Sequence, residues 1–248
     1  MPDLHPAFLH PPIAHRGLHG EGIAENSHAA FAAAITHGYG IELDIQLSRD
    51  GEAVVFHDYD LARLTGAKGA VRQRDMTELA GLALPDGSAI PTLGAVLEQV
   101  AGQVALLVEI KDQDGAMGAD VGPLEARVAE LLNQYDGPLA VMSLNPHAIY
   151  QMQSRAPKIT RGLVTCPFAK EVWQLLPRQR AEELAGIPDF MATGASFISH
   201  QFKSLDMPRV QQIRQQGNPV LSWTIKSAED EQEARRLSDN ITFEGYLP

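Results

Sequence analysis

Only one cysteine, Cys166, occurs in the chain, so no internal disulfide can form and nothing calls for an oxidising compartment. Basic residues are outnumbered, 20 Lys and Arg against 31 Asp and Glu. The net charge of -11 therefore argues against nucleic acid or an anionic membrane surface as a general partner. No apolar run approaches the length of a membrane span, so no stable membrane insertion is expected. The amino terminus, "MPDLHPAFLHPP", has no basic flank leading into an apolar stretch, and the expected location is the cytoplasm. There is no P-loop and no GxGxxG, which removes a nucleotide-cofactor reading. There is also no HxH or HExxH and no cysteine pair, which removes the usual zinc ligation.

What is present is a soluble globular composition, 44% hydrophobic and 21% charged, over a length that supports a full-sized core. Short apolar runs recur: "PPIAHRG", "GIELDIQL", "EAVVFHD", "VALLVEIK", "LAVMSLN", "ITRGLVT", "ASFISH", "PVLSWTI" and "NITFEG". Between most of them lie helix-like stretches, at 26–36, 93–100, 123–134, 146–155, 168–184, 208–216 and 228–237. Strands alternating with helices imply parallel pairing through right-handed crossovers, and eight such units at this length predict one (β/α)8 TIM barrel spanning 1–248. Nine strand candidates compete for eight places. The "SRDG" between "IELDIQL" and "EAVVFHD" resolves the excess, because an Asp50-Gly51 turn closes a hairpin of which one arm is a return limb and not a barrel strand. Residues 59–91, rich in Gly and Pro, read as a short loop-rich insertion placed over the barrel mouth as a lid or substrate wall.

The chemistry sits where strands ought to be apolar. Glu42 and Asp44 lie two apart on one strand and share a face, where like charges repel unless the face is solvated or a cation holds them. "AHRG" adds His15 and Arg16, "FHD" adds His57 and Asp58, and "VEIK" adds Glu109 and Lys111. Taken singly each has a structural reading: a hydrogen-bonded histidine, a solvated strand end, a Glu109–Lys111 ion pair. Their convergence on the strand ends of one barrel is what points to a site. Glu42, Asp44 and Glu109 are three hard oxygen donors suited to Mg2+ or Ca2+. His15 and His57 can exchange protons near neutral pH, and Arg16 and Lys111 supply fixed positive charge. Such a set suits an anionic substrate with an ionisable leaving group, a phosphate ester first of all. Trp223, in "WTI", reads either as a core residue or as an indole flanking the substrate. His200 reads as structural, and Asn26 as the cap of the helix that follows it.

The string "AHRG", then "ENSHAAFAAAITHGYGIELDIQLSRDGEAVVFHDYDLARLTG", "VEIK" and "WTI", resembles the glycerophosphodiester phosphodiesterase family over nearly the whole chain. The resemblance implies a barrel that hydrolyses a small glycerophosphodiester to glycerol 3-phosphate and an alcohol with a divalent metal. It implies His15 and His57 as the catalytic pair and Glu42, Asp44 and Glu109 as metal carboxylates. Arg16, Lys111 and Trp223 would then bind substrate. Two departures stand out: Ser27 replaces the threonine of the family's "ENT", and the chain ends "NITFEGYLP" in place of a "TD.P"-like segment, with Glu244 the acid nearest that place. A lysophospholipase D or sphingomyelinase D-like activity on a lipid, and a catalytically silent binding barrel, are the competing expectations. A zinc-type amide hydrolase is disfavoured by the missing histidine ligands.

Overall fold

The structure is a computed structural model and describes residues 2–248. Nine strands form: β1 (Ile13–Ala14), β2 (Gly40–Leu47), β3 (Ala53–Val55), β4 (Leu106–Ile110), β5 (Leu139–Ser143), β6 (Thr160–Thr165), β7 (Phe197–Gln201), β8 (Val220–Ile225) and β9 (Asn240–Phe243). Eight of them run parallel in the order β1-β9-β8-β7-β6-β5-β4-β2, and β1 pairs with β2 to close the ring. This is the expected TIM barrel. The ninth, β3, is antiparallel to β2 with Ile45 opposite Val55 and Leu47 opposite Ala53. It is the return arm of the hairpin, closed at Asp50-Gly51 with Gly51 at φ 89°, a left-handed conformation that costs glycine little.

Helices cover the outside: α1 (His28–His37), α2 (Ala62–Thr65), α3 (Met76–Leu79), α4 (Leu93–Val100), α5 (Pro123–Leu132), α6 (Pro146–Arg155), α7 (Arg178–Ala185), α8 (Pro208–Gln215) and α9 (Ala228–Ala234). Strand alternation sorts the residues of each strand into two sets. Ile41, Leu43 and Ile45 of β2 and Leu106, Val108 and Ile110 of β4 join the layer between barrel and helices. The alternate positions face inward, where Leu107, Ala140, Val164, Phe197 and Leu221 fill the barrel. Phe197 lies so close to Gly162 that a Cβ there would meet its ring at 2.5 Å. The amino-terminal segment plugs this inner core with Leu4 and Phe8, tied down by Asn240 Nδ2 donating to the carbonyls of Phe8 and Pro11.

Two sequence expectations need correction here. The stretch 168–184 is helical only from Arg178. Residues 168–177 are irregular, because the apolar Val172 and Trp173 that mimic a helix face line a cavity instead and Leu175 stands in solvent. The helix after "EN" begins at His28 and not at Asn26, since its cap is Ser27, whose hydroxyl accepts the Ala30 N–H at 3.1 Å. Insertion 59–91 contains the single-turn helices α2 and α3 and has its own apolar cluster, with Leu61, Leu64, Val71, Leu79 and Ile90 packed on Val54 and Phe56. It contributes Tyr59 and Asp60 to the cavity at the barrel mouth.

Candidate active site

Glu42, Asp44 and Glu109 meet because of strand register. Asp44 pairs with Glu109 across the parallel β2–β4 ladder, and Glu42 lies two residues earlier on the same inward face. Each offers an oxygen within 4.8 Å of the others, and all three are buried. Two cations face them. Lys111 Nζ lies 2.9 Å from Glu109 Oε1 and 3.3 Å from Asp44 Oδ1, while Arg16 Nε lies 3.4 Å from Asp44 Oδ2. The Arg16 main-chain N–H donates to Glu42 Oε2 at 3.0 Å.

Three acids against two cations leave the cluster short of positive charge, and the proton affinities follow. Burial, then repulsion by Asp44 and Glu109, holds Glu42 well above the ordinary carboxylate range. Burial acts on Asp44 in the same sense, but Lys111, His57 and Arg16 outweigh it and hold that carboxyl well below its usual range. Burial alone would lower Lys111; Glu109 and Asp44 raise it instead, so it stays an ammonium. Arg16 Nε is buried without a hydrogen-bond partner. An all-oxygen, buried, net-negative cluster matches the donor chemistry of a hard divalent cation, so the residues present fit such an ion.

Asn26, which reads as a helix cap in the sequence, belongs to this site. Its backbone turns left-handed at φ 54°, and its amide donates to Asp44 Oδ2 at 3.0 Å while its carbonyl oxygen accepts the Asp44 N–H at 3.3 Å. Only the fold brings it there, from the loop before α1.

The two histidines are held alike. His15 follows β1 and its Nδ1 lies 2.5 Å from Glu244 Oε2, a contact across 229 residues of chain. Glu244 also accepts from Lys226 Nζ at 2.6 Å, and hydrogen bonds from His15 first, with His19 and Lys226, keep its carboxyl far below the ordinary range. The turn that aims His15 runs through Arg16 and Gly17 at positive φ. A Cβ on Gly17 would approach Ala30 Cβ to 2.8 Å, so glycine is required for α1 to pack there. His57 follows β3, and its Nδ1 lies 2.7 Å from Asp58 Oδ1. Burial, then the nearby Lys111 charge, lowers His57 below its usual value. Asp58 is pulled down to about 2: burial opposes this, but hydrogen bonds from Arg63 and His57 prevail. With both Nδ1 atoms committed to carboxylates, Nε2 is the nitrogen each ring has left for proton exchange.

His15, His57, the three acids, Arg16 and Lys111 line a cavity of about 700 Å³ at the carboxyl ends of the strands, which places it among small-molecule sites in size. Its two sides differ. His15, Arg16, the three acids, His57 and Lys111 form the charged side, while Met142, Val164, Cys166, Val172, Trp173 and Trp223 line the other. Trp223 Nε1 donates to the Ser199 carbonyl at 2.9 Å, which fixes the indole in the wall. His200 is fully buried, bonded to Thr165 and Ser204, and burial pushes it down to about 4; it is structural, as its sequence context suggests.

Residues 15–240 match the Glycerophosphoryl diester phosphodiesterase family. A glycerophosphodiester phosphodiesterase of Caldanaerobacter subterraneus subsp. tengcongensis is 29% identical over 230 residues, which span 88% of this chain and 86% of that enzyme. A phosphodiesterase of Oleispira antarctica, solved in complex with the product sn-glycerol-3-phosphate, superposes with a TM-score of 0.76 at 27% identity and covers 96% of this chain and 94% of that one. Lysophospholipase D GDPD1 of Rattus norvegicus is 42% identical over 73 residues, 29% of this chain and 23% of that protein.

Proposed function

Because the chain belongs to the glycerophosphoryl diester phosphodiesterase family, we propose that it hydrolyses small glycerophosphodiesters to glycerol 3-phosphate and an alcohol with His15 and His57 as the acid–base pair. The observation that carries this reading is the joint geometry: two imidazoles, each with Nδ1 on a carboxylate, line one cavity with three clustered acids and two cations. His57, held below its usual proton affinity, is neutral at neutral pH and suits the base that takes the proton from the attacking oxygen at Nε2. His15 then delivers a proton to the leaving alcohol oxygen as the phosphorus–oxygen bond breaks. Arg16 and Lys111 stand where charge grows on the phosphoryl group and neutralise it. Glu42, Asp44 and Glu109 would hold Mg2+ or Ca2+, which when bound supplies a Lewis acid for a non-bridging phosphoryl oxygen. Trp223 walls the substrate.

Release of glycerol 3-phosphate from glycerophosphocholine and glycerophosphoethanolamine, with Mg2+, Ca2+ or EDTA, tests the proposal. Turnover that EDTA abolishes is expected; no turnover by folded, metal-supplemented protein would refute it.

One observation favours a second reading, a lysophospholipase D-like activity. Val172, which lines the cavity with Trp173 and Trp223, is 75% exposed, and Leu175, three residues on in the same irregular segment, is 95% exposed. A glycerophosphodiester with a small head group has nothing to place on such exposed apolar side chains, whereas a single acyl chain has. Choline release from lysophosphatidylcholine separates the two readings.

A further inference from the structure

Arg63 takes no part in the chemistry above. It lies in α2 within the 59–91 insertion, off every strand, and does not line the cavity. Its guanidinium nevertheless makes two forks. Nε and Nη2 donate to Asp58 at 2.6 and 2.9 Å, while Nη1 and Nη2 donate to Glu25 at 2.8 and 2.7 Å. Each of those carboxylates holds a residue of the site. Asp58 accepts from His57 Nδ1, and Glu25 Oε1 accepts from Arg16 Nη1 at 2.7 Å.

We propose that Arg63 is a positioning residue that sets the His57 imidazole and the Arg16 guanidinium together, through Asp58 and Glu25. The continuous path His57–Asp58–Arg63–Glu25–Arg16–Asp44 links the acid–base group, the phosphate-binding cation and a carboxylate of the metal cluster. The inference rests on the proposed phosphodiesterase reading.

An isolated surface ion pair would carry little weight, and the Arg63 side chain is 46% exposed. Two features set this one apart. The pairing is bidentate on both sides, which fixes orientation as well as charge, and a lysine cannot reproduce it. Both carboxylates are less exposed than Arg63 itself, Asp58 at 24% and Glu25 at 11%, and Glu25 in particular has little water to replace a lost donor. Without Arg63, Asp58 can rotate with His57 attached, and Glu25 keeps only one of its three guanidinium donors, Arg16 Nη1. The insertion thus has a stated job beyond walling the mouth: its apolar cluster holds α2 in place, and α2 holds the bridge.

The experiment is steady-state hydrolysis of glycerophosphocholine by wild type, Arg63→Ala and Arg63→Lys, with circular dichroism and thermal melting of each. Loss of an orienting partner of this kind typically costs about 10–100-fold, so kcat/KM should fall by that order, with KM rising through Arg16 and kcat falling through His57. Arg63→Lys should stay at least about tenfold down despite its charge. Low concentrations of guanidinium chloride should restore part of the Arg63→Ala activity and leave wild type unchanged, an effect that a structural contribution to α2 would not produce. Adding Asp58→Asn to Arg63→Ala should cost less than the sum of the two single losses. A folded Arg63→Ala with both constants within about twofold of wild type would overturn the inference. If Arg63→Ala fails to fold, Arg63→Lys decides on the same criterion. Unaltered variants beside an active wild type sink this inference alone, while an inactive wild type sinks the parent reading and this one with it.

Discussion

Replacing Glu42 with glutamine should stabilise the metal-free protein. Glu42, Asp44 and Glu109 offer oxygens within 4.8 Å of one another. At an effective dielectric constant near 20, two unit charges at that separation repel by about 3.5 kcal/mol. Glu42 faces two such neighbours, and Lys111 bonds to those neighbours rather than to Glu42. Its own compensation is the Arg16 N–H and the Arg16 charge. The amide of the substituted glutamine keeps an acceptor for that N–H and removes the charge. After the attraction to Arg16 is subtracted, a net gain of about 1–3 kcal/mol is expected, which raises Tm by a few degrees in a chain of this size. Burial and like charge raise Glu42 in the folded state, so the folded protein binds a proton that the unfolded chain releases at lower pH. Metal-free wild type should therefore lose stability as pH rises from the ordinary carboxylate range through the folded-state value, and Glu42→Gln should lack that slope. Saturating Mg2+ or Ca2+ should reverse the order, because a ligand at about 1,000 times its Kd stabilises the wild type by about 4.1 kcal/mol. Thermal melts of both proteins in EDTA and in metal, at several pH values, measure all three effects. A variant less stable than wild type in EDTA, or an order unchanged by metal, would refute the reasoning.

Further outcomes follow from other contacts. Glu244→Gln removes the carboxylate that holds His15, and kcat for glycerophosphocholine should fall by about 10–100-fold with a smaller change in KM; steady-state kinetics showing wild-type kcat would exclude an orienting role. Gly17→Ala puts a Cβ 2.8 Å from Ala30 Cβ at φ +77° and should cost about 1–3 kcal/mol in urea unfolding. A loss below about 0.5 kcal/mol would mean that the turn relaxes freely. Leu175→Ser, in the exposed segment that carries Val172 and Trp173, should leave glycerophosphocholine turnover unchanged and reduce any choline release from lysophosphatidylcholine. Equal effects on both substrates would remove the argument from these exposed apolar side chains.

Much of this architecture is legible in the chain because the barrel repeats one local pattern. All nine apolar runs become strands, and the Asp50-Gly51 turn correctly demotes one of them to a hairpin arm. The acids of β2 and β4 stand out because a carboxylate on an inward strand position breaks the apolar alternation. Partners without such a break are harder to read. Asn26 resembles a cap because it precedes a helix, and only the left-handed turn swings its amide onto Asp44. Glu244 reaches His15 through barrel closure, and Arg63 reaches Glu25 across 38 residues through the packing of the insertion. The false helix at 168–177 has the matching cause: apolar residues spaced for a helix face serve a cavity wall, a tertiary demand that periodicity does not distinguish.

The proposed reaction needs His15 and His57 to act beside acids that would hold a metal. Glycerol 3-phosphate release from glycerophosphocholine by wild type, His15→Ala and His57→Ala, each folded and supplied with Mg2+ or Ca2+, tests it in one assay. The account predicts turnover by wild type and a loss of at least about a hundredfold in kcat for each variant, the scale of general acid–base catalysis. Either variant retaining wild-type kcat would contradict it.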